Sequence, residues 1–389
     1  MDLTRVDDLW FPEGGLVIQA GSRIFRVAGS ILAARSSIFK DMLAIPQPAS
    51  QPTIEGCPIV VLHDSPEHTE YFLKAIFDSS FFERPPAPTT FPVVAGVLRL
   101  STKYDVNYLR HRALLHLATA SPLSLDEYDA FPSASTLGAQ NFFTRLLLAN
   151  DLGIQWAMPL VIFKISCSFP VDTILCGVPQ DQPTLHLPLS LQRVCLTARN
   201  SLIFAQVHDT FSFMRVLDNA GCTKPDQCRS RRMRLLSIVT RKEALAPLGY
   251  FLSSWWEETS LEMLCNTCCR EGRTQYEEGR QRIWDRLPEM FGLPSWEDLR
   301  AAREADVTRP EMRTLKSGCT LARSLHDLVD TESDEWVNLV ECAMAARGRY
   351  QLHGICMLEG DKMRTWIVPL RTDGEELFAG LVKLSQQLC

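Results

Sequence analysis

The sequence contains no uninterrupted apolar run approaching 18 residues, so a membrane-spanning helix is not expected. It has no Walker A loop, no G-x-S-x-G and no G-x-G-x-x-G. A phosphate-cradling loop, a nucleophile elbow and a dinucleotide fingerprint are therefore without candidates. Neither sign of charge dominates. There are 40 Lys and Arg against 46 Asp and Glu, a net charge of −6, which gives no global pull toward nucleic acid or an anionic membrane. The opening MDLTRVDDLW is polar and acidic rather than a basic, apolar leader. No signal peptide is expected, and the reading is an intracellular, cytoplasmic or nuclear protein. The eight histidines are scattered. His63, with Asp64 and His68, comes nearest to a cluster, but no nucleophile stands beside it. An isolated surface histidine is far commoner than a general base, so no catalytic residue is assigned.

Among what is present, cysteine stands out. There are 13 cysteines, an odd number, and in a reducing compartment they are reduced thiols or metal ligands rather than disulfides. Cys222 and Cys228 form C-x5-C in a loop bearing Gly, Lys, Pro and Asp; Cys265 and Cys268 form C-x2-C, with Cys269 next door. Four thiolates in two pairs have the donor chemistry of a tetrahedral structural zinc site that would crosslink a loop to a helix end. The C-x2-C spacing is standard for such a site and the C-x5-C spacing is looser. Two alternatives stay open: the cysteines are small buried hydrophobes, or Cys269 replaces Cys268 as ligand. Between the pairs, Arg229, Arg231, Arg232, Arg234, Arg241 and Lys242 form a basic stretch. Without interleaved aromatics it reads as a solvated helix face rather than a nucleic-acid contact.

The stretch Leu16–Leu43 organises the N-terminal part. Leu16, Ile18 and Ala20 alternate with Val17 and Gln19; Gly21-Ser22 is a turn signal; Ile24, Phe25 and Val27 supply a second strand. After Ser30 the period becomes helical, through Ile31, Leu32, Ile38, Phe39, Met42 and Leu43, with Ser36 or Ser37 as N-cap of a second helix. Upstream, Leu9-Trp10-Phe11 reads as an edge strand or an anchor. Downstream come a 44–58 loop, a buried strand at Ile59–Leu62, a helix capped by Asp64 or Ser65, and two helices over 93–104 and 105–117.

This order, with Ile24-Phe25-Arg26-Val27, Ser30-Ile31-Leu32-Ala33-Ala34-Arg35-Ser36-Ser37-Ile38-Phe39, Met42-Leu43 and Leu100-Ser101-Thr102-Lys103-Tyr104-Asp105-Val106, resembles the BTB/POZ domain. Ala28 stands where that family usually has histidine. A second match lies far downstream. Trp284, Leu287, Pro288, Phe291, Leu293, Pro294, Trp296 and Leu299, preceded by the Cys265/Cys268 pair, resemble the ending of the mushroom-type (basidiomycete) fungal BTB proteins. The resemblance implies an α+β fold, a small sheet capped by helices over 8–120. A 121–139 linker marked by Pro122, Pro132 and Gly138, an α-helical domain over 140–309 and an additional segment over 310–389 follow. Pro288 is expected to interrupt a helix. In the last segment, 321–346 reads as a helix, 350–370 as a β-hairpin with a Gly-Asp turn, and 375–388 as a final helix; it is either an added small domain or a tail foreign to the fold.

Two functions follow. The first is a non-enzymatic protein–protein interaction module that binds protein partners. It would form a homodimer or dock another chain, and the resemblance implies a substrate adaptor for a cullin-type ubiquitin ligase. The second is a zinc-containing transcriptional or nucleic-acid-associated regulator. Metal release coupled to DNA retention would favour the second; self-association without either would favour the first.

Overall fold

The computed structural model describes residues 3–45, 52–130, 139–179, 184–215, 220–239 and 264–308, and the backbone of three further strands between 340 and 370. The chain divides into two compact units, residues 1–310 and 311–389. The first is a mixed α/β unit whose N-terminal region carries a small five-stranded sheet.

That sheet is built from β1 (Thr4–Trp10), β2 (Leu16–Ala20), β3 (Arg23–Val27), β4 (Thr53–Ile54) and β5 (Cys57–Leu62), in the order β1-β3-β2-β5-β4. The expected hairpin is present: β2 and β3 pair antiparallel, Ala20 opposite Arg23. Gly21 sits at φ +54°, the positive dihedral that a two-residue type II′ connection requires at its first position. A Cβ there would also lie 2.9 Å from Pro66 Cγ. β1 adds to β3 in parallel as an edge strand, and β5 adds to β2 in parallel on the other side. Leu16, Ile18, Ala20, Phe25 and Val27 face the helices; Trp10, Val17, Ile24 and Cys57 gather in a second cluster. Strand β5 is less buried than its apolar run suggests, because only the two-residue β4 lies outside it; Val61 is 53% exposed. Part of the expected 44–58 loop is thus strand, turned back through Glu55 and Gly56, both at positive φ.

Helices α1 (Gly29–Arg35) and α2 (Ser37–Ala44) follow the hairpin. Ser36 is the cap of α2: its Oγ accepts the N–H of Phe39 at 3.0 Å and donates to Tyr104 O at 2.5 Å. Ser65 is the cap of α3 (Pro66–Phe77), with Pro66 at its first position. Helices α4 (Phe91–Lys103) and α5 (Asn107–Thr119) complete the N-terminal layer. Phe39 stacks on Tyr104 at 4.7 Å, and Phe39 and Phe72 are fully buried.

Residues 121–130, the start of the expected linker, are instead packed. They form α6 (Leu125–Ala130) with Leu123, Leu125 and Tyr128 buried; residues 131–138 lie outside the described residues. Pro122 and Asp126 resemble linker punctuation, but side chains from distant helices fix this segment. Arg145 donates to Ala120 O, Arg300 to Leu123 O, Arg303 to Ser121 O and Glu127, and Arg280 to Asp129.

The remaining α-helices among the described residues are α7 (Ala139–Asp151), α8 (Pro159–Ser168), α9 (Val171–Cys176), α10 (Leu189–Ala205), α11 (Pro225–Val239), α12 (Asn266–Phe291) and α13 (Trp296–Thr308). Helix α12 runs through Pro288 rather than stopping there. Proline removes the N–H that would bond the carbonyl of Trp284, and the indole Nε1 of Trp296 occupies that carbonyl instead, at 2.8 Å. The two indoles stack at 5.0 Å. The last helical residue is Phe291, and the chain turns at Gly292, φ +66°, where Leu293 N bonds Pro288 O, a Schellman closure.

The second unit holds a three-stranded antiparallel sheet, 340–345, 351–359 and 362–370 in that order. The hairpin expected over 350–370 is there. Residues 340–345, expected to be helical, are a strand: a short run such as Val-Glu-Cys-Ala-Met-Ala fits either period, and pairing of Val340 with Cys356 decides it. The expected helix over 375–388 lies outside the described residues.

Candidate metal centre

Two helix N-termini carry the cysteine pairs. Cys228 lies in the first turn of α11, its N–H bonded to Lys224 O, and Cys222 lies three residues ahead of the helix start. Cys265 is the N-cap of α12 and Cys268 lies in its first turn. Each pair therefore sets one cysteine just outside a helix and one just inside it. The longer C-x5-C spacing closes as well as C-x2-C because Cys222 is displaced into the preceding turn.

The four sulfurs lie within 4.8 Å of one another, and Cys222 and Cys265 are 3.8 Å apart. A tetrahedron with metal–sulfur arms of about 2.3 Å has edges of about 3.8 Å, so the cluster stands within an ångström of coordination geometry. Cys228, Cys265 and Cys268 are buried and Cys222 is partly exposed, which closes the site on three sides. Cys269 is not part of the group. One residue further along a helix rotates the side chain by about 100°, and Cys269 packs against the apolar core. The geometry thus selects Cys268 over Cys269. Among the described residues this four-sulfur group can hold a metal ion such as zinc. The remaining described cysteines, Cys57, Cys167, Cys176 and Cys195, are free thiols outside the group.

The backbone prepares one sulfur to be anionic. The N–H groups of Cys268 and Thr223 donate to Cys265 Sγ, pulling its pKa down to about 5, as expected where the positive end of a helix faces a thiol. Cys265 N in turn donates to Cys228 Sγ at 3.3 Å. Burial pushes Cys228 and Cys268 the other way, toward the neutral thiol. Without a cation nearby, four thiolates at this separation would repel one another strongly. A divalent ion resolves that conflict, because ligating sulfur is deprotonated.

The basic stretch behaves differently from a uniformly solvated face. Arg229 and Arg234 are exposed, but Arg232 is 4% exposed. It lies one turn past Cys228 on the same side of α11, which places it beside the sulfurs. Its Nη2 is 3.9 Å from Cys268 Sγ, and its Nε has no hydrogen-bond partner. Nothing in composition marked Arg232; the usable signal was its i+4 spacing from Cys228. Arg241 and Lys242 lie outside the described residues.

Of the His63, Asp64 and His68 group, the structure gives partners for Asp64 from another helix. Asp64 accepts from Lys103 Nζ at 2.7 and 2.8 Å and from Tyr104 Oη at 2.5 Å, which ties the end of α4 to the loop before α3. Burial lowers the pKa of His68, whose ring lies against Gly96.

No protein-family model matches the chain, and no curated protein matches it. Among the described residues, no helix is long and apolar enough to cross a membrane.

Proposed function

We propose that this chain is a non-enzymatic protein–protein interaction protein of BTB/POZ type, whose second half is held by structural zinc on Cys222, Cys228, Cys265 and Cys268. One observation carries the interaction reading. Helices α1 and α2 turn large apolar side chains outward: Ile31 is 43% exposed, Ile38 44% and, just beyond α2, Ile45 61%. Apolar groups left on solvent-facing turns of a helical hairpin suit a contact with another chain. Self-association through this hairpin is the primary mode, and docking of a cullin-type ligase subunit is the further role that the BTB/POZ resemblance implies. Such a protein works inside the cell, in cytoplasm or nucleus.

The alternative, a zinc-containing transcriptional or nucleic-acid-associated regulator, has less support. The basic stretch loses Arg232 to the interior, leaving Arg229 and Arg234 as its exposed arginines on α11. The test is multi-angle light scattering on the full chain and on Ile31→Asp/Ile38→Asp. A dimer that becomes a monomer in the double variant supports the reading; a monomer in both contradicts self-association. Salt-sensitive retention on DNA would move the assignment to the regulator.

A further inference from the structure

Three arginines are buried among the described residues, and their partners differ. Arg280 pairs with Asp129 and with Glu277. Arg145 donates to Ala120 O and lies over the Phe91 ring. Arg232 has neither carboxylate nor carbonyl: its one polar contact is Cys268 Sγ, at a distance suited to a long N–H···S bond, and its Nε is unpartnered.

A guanidinium stays charged in any protein setting and is costly to bury without an anion. Four neutral thiols would leave Arg232 buried and uncompensated, and so would two disulfides. A divalent ion held by four thiolates is a dianion, and among the described residues this guanidinium lies against one of its sulfurs. The other buried side chains described on α11 are Cys228 and Leu235, with Arg231 and Leu236 partly buried, and among the arginines of this helix it is Arg232 that contacts a sulfur.

We infer that Arg232 is the built-in counter-ion of a tetrathiolate centre for a divalent, thiophilic metal. It is a positioning residue, not a ligand: it donates N–H to Cys268 Sγ and offsets part of the negative charge that four thiolates bring into the interior. The inference rests on the metal-site reading and adds to it the charge state for which the site is built.

The test uses the full chain, purified under reducing conditions. Zinc is measured by elemental analysis and its affinity by competition with a chromophoric chelator, for wild type, Arg232→Met, Arg232→Gln and Arg232→Lys, with folding checked by circular dichroism. The wild type is expected to hold about one zinc per chain. Arg232→Met, which keeps the apolar stem, is expected to bind zinc about ten- to a hundredfold more weakly. Arg232→Lys, which keeps the charge, is expected to stay within about threefold of wild type. If Arg232→Met fails to fold, Arg232→Gln serves as the neutral variant against Arg232→Lys. Neutral variants that bind zinc as tightly as wild type, or a lysine variant as weak as the neutral ones, overturn the counter-ion role and leave the metal site standing. A wild-type chain that takes up no zinc overturns both.

Discussion

The N-terminal layer and helix α11 differ in what they bury, although both belong to the same compact unit. In the first, helices α3 and α4 bury Phe72, Leu73, Val94, Val97, Leu98 and Leu100 against a sheet whose central strand is covered on both faces. Each such side chain contributes about 2 kcal/mol. In the second, the inward face of α11 offers Cys228, Arg232 and Leu235. Leu235, with partly buried Leu236 beside it, offers only a few kcal/mol of apolar burial at about 2 kcal/mol for a full side chain, whereas structural zinc would contribute on the order of 10 kcal/mol in apparent binding free energy. Where apolar burial is ample, the chain needs no crosslink; where it is thin, four sulfurs stand together.

The comparison breaks most sharply at the ligands. Replacing Cys265 or Cys268 by Ser is expected to remove on the order of 5 kcal/mol or more from the α11–α12 region, while α3 to α5 keep their structure. Limited proteolysis checks this, with first cuts expected in residues 222–268. Next comes a core change on the other side. Phe39→Ala, which opens a cavity against Tyr104, is expected to cost about 3–5 kcal/mol. Urea unfolding should give the same loss with and without a chelator.

A smaller effect is expected where α12 meets α13. Trp296→Phe removes the donor to Trp284 O and leaves a buried carbonyl, at a cost of roughly 1–3 kcal/mol. Pro288→Ala restores an N–H for that carbonyl, so it should recover part of the loss in the Trp296→Phe background although it adds little alone. A double-mutant cycle measures the coupling.

The smallest effect concerns α6. Hydrogen bonds from Arg303, reinforced by the N–H of Leu123, hold the Glu127 carboxyl below its ordinary pKa. A depressed carboxylate contributes its full stabilisation above the ordinary carboxylate range and loses it as pH falls through the depressed value. Glu127 is partly exposed, so Glu127→Gln is expected to cost less than about 1 kcal/mol at neutral pH. That cost should vanish in acid, as read from melting temperature against pH.

The elements most legible in the sequence carry their own local chemistry. Gly21-Ser22, Ser36 and Ser65 each settle a turn or a cap with side chains only a few residues away, and all three stand where the pattern puts them. The cysteine pairs were legible because spacing at a helix start is also local. What escaped depends on distant partners. Residues 121–130 look like a linker until Arg145, Arg280, Arg300 and Arg303 arrive from later helices. Pro288 looks like a stop until Trp296 takes the carbonyl it frees. Residues 340–345 look helical until a neighbouring strand pairs with them. Arg232 looks like surface until the fold places it beside Cys268.

The most direct test of this division is hydrogen exchange, read by mass spectrometry on the full chain, with zinc and after chelation under reducing conditions. The account predicts that chelation strips protection from α11 and the first turns of α12 and leaves β2, β3 and α3 to α5 unchanged. Equal protection of α11 with and without the metal, or a collapse of both regions together, would contradict it.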